Sequence, residues 1–175
     1  MRVLAFIGCL LMAIISVGQQ VPAGMTSPSA KLLPSAKELK GWKEVAGSFR
    51  FGKGESLTEI YDGGYMLYID NGVQEAAQKI YHKDNVYLTL TTHFMKSQKA
   101  SKAFVAYWKK MFKNEKLTKT KGVGEGFTMS SNGATMTYWS NERVFVTLMA
   151  TNDGKEGVEA VSTALKVIVQ KMKKN

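Results

Sequence analysis

The sequence predicts an α+β domain: an antiparallel β-sheet with helices packed on one face. Three observations predict it. Residues 73–83 with 86–95, and 134–140 with 144–151, alternate apolar and polar and fold back on short polar turns, as hairpins do. Residues 97–113 and the stretch after Asp153-Gly154 instead repeat apolar residues every three or four positions, as amphipathic helices do. No strand–helix–strand alternation calls for a parallel sheet.

Residues 1–18 read as a signal peptide. Met1-Arg2 is a short positive start, and Val3 to Val17 is an apolar run too short to span a membrane comfortably. Ser16-Val17-Gly18 and Val21-Pro22-Ala23 both fit a small-x-small cleavage pattern; an uncleaved anchor is the other reading. Cys9 does not read as a lipidated cysteine, because the apolar run continues behind it to Val17. Residues 19–31, rich in Pro, Ser and Gly, are expected to be a flexible lead-in, and residues 32–175 one domain. Leu32-Leu33-Pro34 opens that domain. A short helical turn follows Ser35, Trp42 is a core aromatic, and Lys43 to Phe51 alternates loosely enough for an edge strand.

Residues 56–72 read as a capped helix. Ser56 with Glu59 forms a capping box, and Asn71-Gly72 supplies the stop. Leu57, Ile60, Tyr61, Gly64, Leu67 and Tyr68 would share one face. Gly63-Gly64 in its middle suggests close approach of another backbone, since each glycine costs about 1 kcal/mol in a helix. Tyr65, Leu67 and Ile69 also alternate, so a strand is the rival reading. Next come the first hairpin, turning at Asp84-Asn85, and the first helix. That helix would bury Phe104, Tyr107, Trp108 and Met111 and expose Lys99, Lys102, Lys109 and Lys113. Lys116 to Lys121 reads as a Lys/Thr linker and Gly126 to Ser130 as a short strand. The second hairpin follows, then a final helix with the stripe Val158, Val161, Leu165, Ile168 and Met172. At an offset of 58 residues Ile80 to Leu90 lies over Tyr138 to Leu148, so a duplicated hairpin-plus-helix unit is possible; few positions are identical.

The chain carries 24 basic and 14 acidic residues, a net +10 that becomes +9 once Arg2 leaves with the leader. Only Arg2, Arg50 and Arg143 are arginine, which argues against a nucleic-acid reader, whose contacts favour the bidentate guanidinium. A lysine-rich surface suits an envelope polymer, lipid head groups or another exported protein, or simply solvation. With Cys9 removed the mature chain has no cysteine, which excludes disulfides, thiol catalysis and Cys-ligated metals. His82 and His93 would lie roughly 20 Å apart along their hairpin, too far to share an ion. No metal or cofactor is expected.

Asp62 is the carboxylate singled out, beside Gly63-Gly64; the competing reading is a surface acceptor on a helix. No G-x-S-x-G elbow appears, and Gly122-x-Gly124-x-Gly126 lacks the closing glycine of a nucleotide cradle and reads as a loop. The many tyrosines and tryptophans, Tyr68 among them, fit either a core or a groove. The candidate binding residues are therefore Asp62, Gly63, Gly64 and Tyr68, with the strip Lys99, Lys102, Lys109 and Lys113.

Leu32-Leu33-Pro34, Gly41-Trp42, Leu57-x-x-x-Tyr61-Asp62-Gly63-Gly64, Tyr68 and Gly72, with Ser97, Ala103 and Phe104 further on, resemble a family of exported bacterial proteins catalogued as a domain of unknown function. Tyr61, Tyr65 and Asn71 depart from that family's pattern. The resemblance implies export and an α+β fold and brings no activity; the order of elements also resembles PsbP-like domains. Together these readings give an exported, non-catalytic binding module, periplasmic or extracellular. The alternatives are a hydrolase with its site near Asp62, or a protein lying on anionic membrane surface.

Overall fold

A computed structural model describes residues 24–174. The leader 1–18, both cleavage sites, Cys9 and the lead-in residues 19–23 lie outside the described residues. The elements in chain order are α1 (Pro28–Leu32), β1 (Lys43–Glu44), β2 (Arg50–Lys53), a 3-10 segment (Gly54–Glu59), α2 (Tyr65–Asp70), β3 (Val73–Lys83), β4 (Val86–Met95), α3 (Gln98–Met111), β5 (Thr118–Lys119), β6 (Glu125–Ser131), β7 (Ala134–Asn141), β8 (Val144–Ala150) and α4 (Lys155–Met172).

The strands form one antiparallel sheet in the order β1-β3-β4-β8-β7-β6-β5, with β2 also paired to β3. Both hairpins close on two residues, and Asp84 and Glu142, 58 positions apart, both take positive φ (50° and 52°) to make the turns. The tight turn fixes the register, so His82 pairs with Tyr87 and Ala76 with His93.

The α+β class and the antiparallel sheet are as expected, but the helices divide between the two faces. Along β8, Val144, Val146 and Leu148 enter the core that contains Ala160, Val161, Ala164, Leu165 and Ile168 of α4. Phe145, pointing the other way, enters the core that contains Ala100, Phe104 and Val105 of α3. The hairpins match face for face at the 58-residue offset: Leu88 and Val146, Leu90 and Leu148, Tyr81 and Trp139 all serve the α4 core. The helices that follow them leave on opposite sides, so the likeness covers the hairpins and stops there.

Residues 28–31 are not free lead-in. Ser27 Oγ accepts from the Ala30 N–H at 3.2 Å, and Ser29, fully buried, donates from its N–H and hydroxyl to Glu75, each at 2.9 Å. The single helix over 56–72 is also corrected. Ser56 Oγ bonds the Lys53 backbone, accepting from its N–H at 2.7 Å and donating to its carbonyl at 2.9 Å, instead of capping toward Glu59. Gly63 then takes φ +69°, a left-handed conformation that breaks the helix in two. The β1–β2 edge is likewise two short strands where one was expected.

Candidate functional site

Asp62 and Gly63-Gly64 sit exposed in the turn between the 3-10 segment and α2. A Cβ at either glycine would meet nothing within 4 Å, so the expected close backbone contact is absent there. Tyr68 is elsewhere in character. It turns inward from α2, stacks on Tyr61 with ring centroids 3.6 Å apart, and meets the edge of Phe104 at 5.4 Å. Lys99, Lys102 and Lys109 project from α3 into solvent, and Lys113 lies just past its end. Lys102 pairs with Glu125 at 2.8 Å on an exposed surface, an interaction of little energetic weight. Met111, expected in the apolar stripe, is 59% exposed at the end of α3. These eight residues therefore do not converge on one cavity.

Beneath α2 and α3 lies a buried aromatic layer built around His93. Its Nδ1 stands 2.9 Å from the Phe145 carbonyl oxygen, which can only accept, so Nδ1 carries the proton. Nε2 is then left to accept from the Tyr61 hydroxyl. Burial holds His93 down at about 4, against the backbone hydrogen bond that favours its charged form. Burial likewise pushes Tyr68 up to about 12 and Tyr61 well above the ordinary range, so all three groups are neutral at pH 7. His82, on the same hairpin, faces Tyr87 with ring centroids 6.0 Å apart and takes no part in this layer. Among the described residues no group of three His, Cys, Asp or Glu side chains is placed to hold a metal.

A concave surface lies on the other face of the sheet. A groove of about 890 Å³ runs between α4 and the segment 116–123, over the part of β6 that α4 leaves uncovered. On one side α4 contributes Val158, Val161, Leu165 and Val169. Val158, expected in the core stripe, is 46% exposed and faces this space. Thr128 and Thr137 line the groove from the sheet, and their hydroxyls share one hydrogen bond at 2.7 Å.

The far wall is held in place by Trp139. Its Nε1–H donates to the Val123 carbonyl at 3.0 Å, and Gly124, at φ +86°, lies against the indole ring. A Cβ at Gly124 would come within 2.6 Å of that ring and of the Ser140 carbonyl oxygen. Gly126 allows a similar approach, its Cβ position lying 2.4 Å from the Tyr138 carbonyl oxygen. The glycine triplet thus sets the wall of the groove rather than a phosphate loop.

Lys116, Lys119 and Lys121 line that wall, and Lys166 and Lys173 line the α4 side; among the described residues no side-chain carboxylate lines the groove. Lys79, Lys102 and Lys171 each pair with a glutamate, whereas these five form no ion pair among the described residues. None of the five was singled out from sequence as a binding residue. The available signal was the spacing Lys116, Lys119, Lys121 beside a helix whose apolar stripe includes Val158.

No family model matches the chain, and no curated protein matches it. Among solved structures the chain is similar to the extracellular domain of PknH from Mycobacterium tuberculosis. That likeness covers 83% of this chain and 94% of the other, at 16% identity and a TM-score of 0.53. At that identity the two share a fold.

Proposed function

We propose that the chain is an exported, non-catalytic binding module that holds its ligand in the groove between α4 and residues 116–123. The groove itself carries this reading. Its volume is that of a small-molecule site, one wall carries the apolar side of α4, and its charged side chains among the described residues are all of one sign. Lysines without an ion-pair partner among the described residues, facing one another across an apolar helix side, favour an anionic ligand, because bringing one in neutralises charges that now repel each other. The signal-like leader supports export, and the fold is one that an extracellular domain also uses. Among the described residues no helix is long and apolar enough to cross a membrane. Asp62 is solvent-exposed and lies outside the groove, so the hydrolase reading gains no support from it.

The test is a thermal-shift screen of anionic small molecules on the full chain and on Ser162→Trp. Ser162 is exposed on the α4 wall, so an indole there fills the groove without entering the core. A ligand that raises the Tm of the parent protein and not of the variant supports the site. Ligands that stabilise both equally would place binding elsewhere and remove the proposal.

A further inference from the structure

We infer that the occupant of this groove is a single-chain anionic amphiphile, bound as a monomer with its head among the lysines and its chain along α4. The inference rests on the binding reading above and names the ligand's class. The residues disfavour the main competitors. A nucleotide or a sugar is usually held by ring stacking and by several directed hydrogen bonds, but among the described residues no Phe, Tyr, Trp or Arg lines this groove. The hydroxyls of Thr128 and Thr137 spend part of their capacity on each other, and a ligand rich in hydroxyls would leave the apolar side of α4, Val158, Val161, Leu165 and Val169, unmatched. A polyanion would engage the lysines but leave Val158, Leu165 and Val169 wet.

An acyl chain suits what remains. From Val158 to Val169 the helix advances about 16 Å at 1.5 Å per residue, a track long enough for a medium-length chain. Lysine stems can lie along apolar surface while their ammonium groups meet a carboxylate or a phosphate monoester as point charges. Both head groups offer that same chemistry, and the two are separated by experiment below. A bilayer surface fits less well, since the apolar residues form one wall of a groove and face the segment 116–123 across it.

Isothermal titration of the delipidated full chain with saturated carboxylates of 8, 10, 12 and 14 carbons, kept below micelle formation, tests the class. Binding should tighten about fourfold with each added methylene, as chain burial requires. Ser162→Trp should weaken it at least tenfold, and Lys119→Glu with Lys166→Glu severalfold. Alkyl phosphates of the same lengths, run in parallel, show which head is preferred; tighter binding of either head with the same chain-length trend supports the inference. Amide NMR shifts on α4 and residues 116–123 locate every probe. If inorganic phosphate or an anionic oligosaccharide shifts those amides while no chain length matters, the amphiphile class fails and the groove reading stands. If the carboxylates bind but Ser162→Trp is unaffected, both fail. Binding only to anionic diacyl vesicles, with none of the monomeric probes, would overturn the inference in favour of a membrane surface.

Discussion

The Tyr61 hydroxyl donates to His93 Nε2 in the aromatic layer beneath α2 and α3, and this bond joins the turn after the 3-10 segment to the later part of β4. The imidazole is fully buried and its other nitrogen is committed to Phe145, so a second proton on Nε2 would turn the Tyr61 hydroxyl from donor to acceptor. Burial keeps His93 neutral in the native state down to about pH 4, whereas in the unfolded chain it takes its proton near 6.5. Above pH 6.5 both states are neutral and the full stability is present. Between 6.5 and 4 only the unfolded chain binds the proton, so stability falls with pH by roughly 3 kcal/mol in all. Denaturant melts at pH 7 and pH 4.5 should show most of that loss, and a His93→Gln variant should show a flatter profile. An NMR titration of the His93 ring checks the same point without a variant; a midpoint near 6.5 would refute it.

The turn glycines divide in their tolerance. Gly63, at φ +69°, should cost about 1–2 kcal/mol when replaced by alanine, the penalty of a left-handed L-residue. Gly64 has ordinary negative φ and open space at its Cβ position, so Gly64→Leu should change stability by less than about 0.5 kcal/mol. Thermal melts of the two variants separate the effects. A large loss for Gly64→Leu would restore a continuous, packed helix over this stretch.

Much of the sheet was legible because its cues are local. The two-residue turn at Asp84-Asn85 fixes the pairing of His82 with Tyr87, and alternation then assigns the side chains of residues 75–83 and 86–94 to a face, as far as the irregularity between Val73 and Glu75. The same locality misled the reading of 56–72. Leu57, Ile60, Tyr61 and Tyr68 do point to one core, but they reach it from two short segments, because Ser56 found its partner in the preceding Lys53. Periodicity names the apolar stripe of a helix without saying which side of a sheet it will cover; hence α3 and α4 were both placed on one face. The groove was invisible for a related reason. It exists because α4 stops short of covering β6, and only then do Lys116, Lys119 and Lys121 stand opposite Lys166 and Lys173.

Gly157, in the first turn of α4, has no room for a side chain. Asn152 caps this end of the helix, its Oδ1 accepting from the Gly154 N–H at 2.9 Å and the Gly157 N–H at 3.3 Å. A Cβ on Gly157 would fall 1.9 Å from the Asn152 carbonyl oxygen and 2.7 Å from Thr135 Oγ1. The obstacle is backbone, which cannot rotate away, and the Thr135 hydroxyl is itself bonded to that carbonyl at 2.8 Å. Gly157→Ala should therefore cost about 2–3 kcal/mol in a denaturant melt despite the better helix propensity of alanine. A neutral or stabilising result would mean that α4 starts differently.

The groove wall supplies the last prediction, because its stability and its shape depend on the same two contacts. Trp139 is fully buried and its only described polar contact is the Val123 carbonyl. Trp139→Phe keeps much of the ring's volume but removes the donor, freeing the 122–124 segment while leaving the core of β7 filled. Losing that hydrogen bond should cost about 1–2 kcal/mol. Gly124→Ala attacks the wall from the other side, adding a Cβ against the indole at a φ of +86°, and should cost somewhat more. Both should raise amide hydrogen exchange at residues 120–124 well beyond the global loss of stability, with α3 on the opposite face exchanging no faster than that loss requires. Exchange that rises evenly over the whole chain would show that Trp139 supports the core alone and that the wall is held by something else.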